Sequence, residues 1–183
     1  MIRLNTIDRF SEKIAVSINH HHPDASSIGV LKVGISALLN QIIITSCVIV
    51  FGLFTGKIVD SLVAVSAFPF IRYFSGGLHF KSSNICNIVT SVFILLSIYI
   101  SIDYWYNGLI LNVMAIVLLA IYAPSGIKKS RLKSQYYPLL KIIALLIVSS
   151  NFLLHSPVLS LVFFIQALTT PRIFQKILEE NKW

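Results

Sequence analysis

One short segment of this 183-residue chain gathers the residue types of nucleophilic catalysis. Its sequence, IRYFSGGLHFKSSNIC, covers residues 71–86 and places a histidine, His79, seven positions before a cysteine, Cys86. An imidazole can accept the proton of a thiol, and the thiolate that results is a strong nucleophile. The pattern therefore favours Cys86 as a nucleophile and His79 as its general base.

The residues around this pair suit the same chemistry. Arg72 and Lys81 add positive charge, which favours a thiolate over a thiol. Gly76 and Gly77 permit a tight turn or the close approach of a substrate chain. Backbone amides at the start of the helix that follows could stabilise a tetrahedral oxyanion.

The spacing of His79 and Cys86 restricts the local structure. In a straight helix, seven steps would separate their Cα atoms by about 10.5 Å along the axis, too far for a base to contact its nucleophile. Either the chain bends between them or the pair forms across two subunits. The run KSSN, which includes Lys81 and Ser82, is rich in residues that cap helices and bind backbone groups. We predict a non-helical segment over residues 81–84, with the next helix directly after it.

The composition of the chain indicates a membrane protein. Hydrophobic residues make up 56% of the chain and charged residues 12%, whereas soluble proteins carry about 25% charged residues. The chain contains six apolar spans, and Pro157 favours a break between the fifth and the sixth. We therefore predict one all-α membrane domain with six spans. Each span approaches the length that crosses roughly 30 Å of hydrocarbon. The predicted spans are residues 30–54, 58–73, 88–102, 109–123, 139–155 and 158–170.

The basic residues orient this bundle. With a cytoplasmic N-terminus, six crossings leave every Lys and Arg except Lys57 on the cytoplasmic side, as the positive-inside rule requires. The net charge of +8 then indicates topology and attraction to anionic lipid rather than nucleic-acid binding. We predict that both termini are cytoplasmic and that residues 71–86 lie at the inner membrane interface.

The two ends of the chain differ from the spans. In residues 1–19, apolar side chains recur at helical spacing and charged ones occupy the other face, which predicts a helix on the membrane surface. Residues 30–170 then form the six-helix bundle, and residues 171–183 form a cytoplasmic tail with a weaker amphipathic pattern. Both segments are expected to anchor the bundle, and the alternative is that one of them receives an amphipathic partner.

Other polar residues give weaker signals. The run HHHPD at 20–24 lacks further ligands, so it indicates a solvated linker rather than a metal site. Asn40 and Gln41 are expected to bond neighbouring helices, and Cys47 to fill apolar space as a reduced thiol. A small transporter that uses the polar residues of the first span and does not need Cys86, or an inert scaffold, is the alternative to an enzyme.

The segment RYFSGGLHFKSSNIC resembles the signature of the AgrB (accessory gene regulator B) family, the membrane cysteine endopeptidases of bacterial quorum sensing. The chain's size, its six predicted spans, its amphipathic start and the loop YAPSGIKKSRLK are also similar to that family over nearly the whole length. Phe80 departs from the pattern, because a small residue is common there. The motif of an Arg, a Gly-Gly, a closely following His and a later Cys falls on Arg72, Gly76, Gly77, His79 and Cys86.

The resemblance implies a defined reaction at the bacterial cell membrane. The substrate would be an AgrD-like precursor peptide with an amphipathic leader, an autoinducer segment and an acidic C-terminal tail. Cys86 would attack the bond before the tail, with His79 as general base and then general acid, and the thioester would close to a thiolactone or lactone. The scheme needs no metal or other cofactor, and the family implies a homodimer. The supporting residues would be Arg72, Gly76, Gly77, Lys81 and Ser82.

Overall fold

Long apolar runs fold as helices, because a helix satisfies its own backbone hydrogen bonds where lipid offers none. A computed structural model of the chain describes residues 6–22, 24–78, 83–126 and 134–171, and these residues are helical apart from short connections. A π-helical turn, Tyr104–Gly108, leads into α5, and a 3₁₀ turn, Ser134–Tyr136, leads into α6. The helices are α1 (Thr6–His21), α2 (Ile28–Phe54), α3 (Ile58–Ser75), α4 (Ser83–Tyr99), α5 (Leu109–Tyr122), α6 (Tyr137–Ser149), α7 (Asn151–Leu154) and α8 (Pro157–Leu168).

Within the described part of the chain, four helical segments are long and apolar enough to cross a membrane. Two shorter apolar helices, Asn84–Tyr99 and Pro157–Leu168, overlap the third and sixth predicted spans. The chain is therefore an all-helical membrane protein with four candidate membrane-spanning segments among the residues described. These four are Ile28–Phe54, Ile58–Ser75, Tyr104–Tyr122 and Ser134–Leu154.

The outer surface of the bundle is strongly apolar. Phe54 is 86% exposed, Leu153 is 83% exposed and Val33 is 71% exposed. In water a surface of this kind would drive aggregation, whereas in a bilayer it meets a solvent of its own polarity. The exposed side chains therefore agree with the composition in indicating a membrane environment.

Helices α3 and α8 occupy the centre of the bundle. α8 contacts α3, α4 and α5, and α3 also contacts α2 and α6. Phe68 and Ile71 of α3 belong to the same buried core as Val162 and Phe163 of α8. Because protein surrounds α8 on several sides, its 12 residues can pack inside the bundle without the length of a lipid-facing helix.

The N-terminal helix α1 packs along α2 in the opposite direction. The ammonium of Lys32 lies 2.8 Å from the carboxylate of Glu12, and the hydroxyl of Ser36 donates to that of Ser11 at 2.8 Å. The buried residues of α1 are Ser11 and Ala15, whereas the described members of the predicted apolar stripe are half-buried or exposed. Small residues, rather than the apolar stripe, therefore bring α1 close to α2.

Several predicted boundaries need correction. The predicted non-helical segment over 81–84 is wrong for Ser83 and Asn84, because α4 begins at Ser83 and extends to Tyr99. The third predicted span began at residue 88, so α4 starts five residues earlier and contains Cys86. His20 and His21 are helical, so the predicted linker begins later than expected.

Other predictions of the element boundaries are confirmed. The break near Pro157 is present, because α7 ends at Leu154, His155 takes a left-handed conformation and α8 begins at Pro157. Both cysteines are reduced. The first five residues, the basic loop at 127–133 and the tail from residue 172 lie outside the described residues.

Candidate active site

Arg72 forms two hydrogen bonds at the C-terminal end of α3, where the chain enters the double glycine Gly76–Gly77. Its backbone carbonyl accepts a hydrogen bond from the N–H of Gly76 at 2.9 Å, which ends the helix. Its guanidinium reaches forward, and Nη2 donates to the carbonyl oxygen of Leu78. One side chain thus holds the segment that follows α3 at its far end, directly before His79.

The double glycine allows two backbones to come unusually close. The chain at Gly76 pairs with Ser125, which follows α5, as an isolated parallel β-bridge. Ser125 N–H donates to the Ser75 carbonyl at 2.9 Å, and Gly77 N–H donates to the Ser125 carbonyl at 3.2 Å. Gly76 has a φ of +69°, and a Cβ there would lie 1.8 Å from the Ser125 oxygen. Glycine is therefore required at this position by both conformation and space.

Helix α8 covers the other side of the same segment. Gln166, which is fully buried, donates from Nε2 to the Gly76 carbonyl at 2.6 Å and to the Ser75 hydroxyl at 3.1 Å. At Gly77, a Cβ would lie 2.6 Å from the hydroxyl oxygen of Thr169. The Gly76–Gly77 segment is thus held between the chain after α5 and the C-terminal half of α8.

Cys86 lies in the first turn of α4 and is half-buried. A thiolate at Cys86 would interact electrostatically with the guanidinium of Arg72, so the two residues lie near each other at the same end of the bundle. The next residue, Asn87, is buried and donates from Nδ2 to Oδ1 of Asn40 at 2.9 Å. This amide pair joins α4 to α2 beside the cysteine and confirms the predicted packing role of Asn40.

The predicted site residues fall into two groups. The structure brings together Arg72, Gly76, Gly77 and Cys86, which come from the end of α3 and the start of α4. His79, Lys81 and Ser82 lie outside the described residues. The reduced thiol, the guanidinium and the fixed glycine segment form the described part of the candidate site.

Sequence reasoning missed the residues that hold the glycine segment from outside. Ser125 lies in YAPSG, a loop with Pro and Gly directly after an apolar span, and that composition alone indicates only a turn. Gln166 is an amide within the apolar run of α8, and a buried amide in a membrane helix usually bonds a neighbouring segment. That signal could have identified Gln166 as a contact residue, although not its partner.

Two other polar features lie apart from this site. His20 and His21 are exposed at the end of α1, and their rings touch edge to face with centroids 5.3 Å apart. Among the described residues, no group of three or more His, Cys, Asp or Glu side chains could hold a metal ion. Gln41 was predicted to bond a neighbouring helix, but its described hydrogen bond is to the hydroxyl of Thr45 within its own helix, at 3.2 Å.

Comparison with known proteins gives one family and one curated relative. The family model described as Accessory gene regulator B matches residues 11–177 of this chain, including the whole of residues 71–86. A curated AgrB-like protein of Clostridium acetobutylicum is 23% identical over 124 residues. The aligned region covers 66% of this chain and 59% of the length of that relative. No solved structure matches the chain significantly.

Proposed function

This chain belongs to the accessory gene regulator B family, and on that premise we propose that it is a membrane-embedded cysteine endopeptidase. It cleaves the C-terminal tail from an AgrD-like precursor peptide and promotes cyclisation of the remaining peptide. The observation that carries this proposal is the grouping of Cys86 and Arg72 beside the glycine segment that leads to His79. That grouping supports the proposal that a nucleophile, a positive charge and a general base act together at one end of the bundle.

The surroundings of Cys86 support its role as the nucleophile. The first turn of a helix carries partial positive charge, and Arg72 adds a full positive charge nearby. Reactive cysteines occupy partly exposed, electropositive places of this kind, whereas structural cysteines are sealed in apolar ones. Cys47, the other thiol, is also half-buried, but it lies inside the apolar helix α2 and away from the first turn of that helix, so it serves as the internal comparison.

The proposed reaction has two acyl transfers. His79 takes the thiol proton, and the Cys86 sulfur attacks the carbonyl carbon at the start of the precursor tail. The C–N bond breaks, His79 returns the proton to the leaving amine, and the tail departs with the peptide held as a thioester. A thiol or hydroxyl of the peptide then attacks the thioester, which forms the ring and releases Cys86. Exclusion of water favours ring closure over hydrolysis.

The proposed topology places this chemistry at the cytoplasmic face. Six crossings, formed by the four long helical segments together with α4 and α8, put both termini and the basic loops in the cytoplasm. The basic face then attracts the acidic tail of the precursor and the anionic lipid of the inner leaflet. Following the family, the protein acts as a homodimer.

The decisive experiment follows the masses of the products. Purified protein in liposomes is incubated with an AgrD-like precursor, and products are recorded by mass spectrometry. We expect a released tail, a covalent peptide adduct on Cys86 and a cyclic product. Cys86→Ala and His79→Ala should reduce cleavage to background, because the nucleophile or its base is gone. Cys47→Ala is the matched control and should cleave as the unmodified protein does.

The same experiment separates the enzyme from a transporter. A transporter would carry intact peptide across the liposome membrane whether or not Cys86 is present. Asn40, one of the polar residues such a path would use, is hydrogen-bonded to Asn87 of α4 and so has a packing role. Cleavage that survives in both Cys86→Ala and His79→Ala would refute the peptidase proposal.

A further inference from the structure

Gln166 makes hydrogen bonds to a segment outside its own helix. It lies in the apolar helix α8, with no part of its surface exposed. Its Nε2 lies 2.6 Å from the carbonyl oxygen of Gly76 and 3.1 Å from the hydroxyl of Ser75, two residues about ninety positions away in sequence. A buried amide that bonds across this distance ties α8 to the segment directly after α3.

The carbonyl oxygen of the Gln166 amide indicates that this residue has a role beyond the packing of α8. Its Oε1 is buried, and no described residue donates a hydrogen bond to it. A buried acceptor without a donor lowers stability, so an apolar side chain of the same size would suit the helix better. Buried polar atoms without a hydrogen-bond partner are expected mainly where function requires the residue that carries them.

The segment that Gln166 holds is flexible by composition. Two consecutive glycines have the largest conformational freedom of any pair, and Gly76 and Gly77 are needed because Ser125 and Thr169 leave no room for a Cβ. Their backbone must therefore be fixed from outside. Ser125 supplies backbone hydrogen bonds on one side, and the Gln166 side chain supplies the bond to the Gly76 carbonyl on the other.

We propose that Gln166 is a positioning residue of the peptidase, acting through the Gly76–Leu78 segment to set the place of His79 relative to Cys86. This inference rests on the proposed function. His79 is joined to Leu78 by one peptide bond, so fixing the segment up to Leu78 limits the positions that the imidazole can reach. Gln166 itself does not touch the reacting atoms.

The first test is the rate of precursor cleavage in liposomes. Gln166→Met keeps the length of the side chain and removes the donor, and a displacement of about 1 Å in a catalytic group can lower the rate about 100-fold. We expect kcat to fall about 10- to 100-fold with KM nearly unchanged, because Gln166 is fully buried and does not touch the precursor. Gln41→Met, the same change at an amide that bonds Thr45 within its own helix, is the matched control and should leave both values unchanged.

The second test reads the Cys86 thiol directly and does not need turnover. In a Cys47→Ala background, the rate of Cys86 alkylation by N-ethylmaleimide is measured in four proteins: unmodified, His79→Ala, Gln166→Met and the double variant. If Gln166 acts through His79, each single variant slows alkylation, and Gln166→Met adds nothing in the His79→Ala background. A purely structural role for Gln166 would slow alkylation equally with and without His79.

The outcomes distinguish this inference from the proposed function. If His79→Ala changes neither cleavage nor alkylation, the His79–Cys86 pair itself is wrong. If His79→Ala lowers both but Gln166→Met leaves both unchanged, the peptidase stands and the positioning role is refuted. Thermal unfolding in detergent identifies a variant that fails to fold. In that case Gln166→Asn, which keeps an amide but is one methylene shorter, takes its place, with an expected kcat loss of about tenfold.

Discussion

The two ends of α8 hold buried polar groups in different ways. Near its start, the buried amides and hydroxyls around Ser160 bond one another. Near its end, Gln166 Oε1 and Ser125 Oγ are buried without a partner among the described residues. Ser160 and Gln166 are six residues apart, or about 9 Å along the helix axis. One short helix thus links a satisfied polar cluster to an incompletely satisfied one.

The satisfied cluster is centred on Asn151. Its Nδ2 lies 2.9 Å from the Ser160 hydroxyl and 3.0 Å from the Ser156 carbonyl, and its Oδ1 accepts from the Ser156 N–H at 3.0 Å. Asn112 of α5 lies 3.4 Å away and bonds the carbonyl of Val148 at 3.3 Å. The cluster closes the tight connection between α7 and α8 and attaches it to α5.

The difference between the two ends separates stability from function. A fully bonded buried network fixes one arrangement of the helices and contributes to stability. Buried polar atoms without partners lower stability, and in native proteins they are uncommon and call for an explanation such as a catalytic role. The unsatisfied end is also the end that holds Gly76, Arg72 and Cys86. We therefore expect substitutions of polar side chains at the Asn151 end to change mainly unfolding, and substitutions of polar side chains at the Gln166 end to change mainly chemistry.

The largest effect on the free energy of unfolding is expected at Gly76, because the close approach of the Ser125 backbone depends on the missing side chain there. In Gly76→Ala the Cβ would meet the backbone carbonyl of Ser125 at 1.8 Å, and a backbone contact cannot relax as a side chain can. We expect a loss of about 4 kcal/mol or more in the free energy of unfolding, and no cleavage. The measurement is equilibrium unfolding in mixed micelles together with the liposome assay.

Gly56 provides a matched control for this change. Its φ of +70° is nearly that of Gly76, but nothing lies within 4 Å of a Cβ built there. Gly56→Ala therefore carries the conformational strain without the clash, and should lower the free energy of unfolding by about 1–2 kcal/mol. Equal losses in the two variants would show that the approach of Ser125 to Gly76 is not as close as described.

The next largest effect is expected at the satisfied end. Asn151→Leu removes the centre of the cluster and leaves the Ser156 N–H without its acceptor, so unfolding should become easier by about 3 kcal/mol. The activity per folded molecule should stay close to that of the unmodified protein, because the cluster lies at the opposite end of α8 from Gln166 and the glycine segment. Asn107→Leu, at an exposed position of the π-helical turn, should leave the unfolding midpoint nearly unchanged.

Much of this architecture could be predicted from the sequence because apolar length is a local property. The helices near the predicted spans, the break at Pro157 and the grouping of Arg72 with Cys86 at one end all follow from runs of residues and their spacing. The start of α4 was misplaced because Ser83 and Asn84 resemble loop residues by type, although serine and asparagine also begin helices.

The contacts from distant segments could not be predicted in the same way. Nothing local to Ser125 or Gln166 indicates that both meet the double glycine, because the partners are brought together by the packing of α3, α5 and α8. The contact between α1 and α2 has the same origin. The amphipathic pattern of α1 predicted a helix on the membrane surface, and the residues that α1 buries are the small Ser11 and Ala15.

The smallest expected effect distinguishes the two ends most directly, because it compares the same substitution at two buried serines. Ser160→Ala removes a hydroxyl that accepts from Asn151 and should lower the free energy of unfolding by about 1 kcal/mol. Ser125→Ala removes a buried hydroxyl with no described partner and keeps the backbone bridge to Gly76, so stability should be unchanged or rise by up to about 1 kcal/mol. Ser61→Ala, at a third buried serine whose hydroxyl has no described partner, should behave as Ser125→Ala does. If Ser125→Ala proved as destabilising as Ser160→Ala, the Ser125 hydroxyl would have a partner in the membrane, and the contrast between the two ends of α8 would be lost.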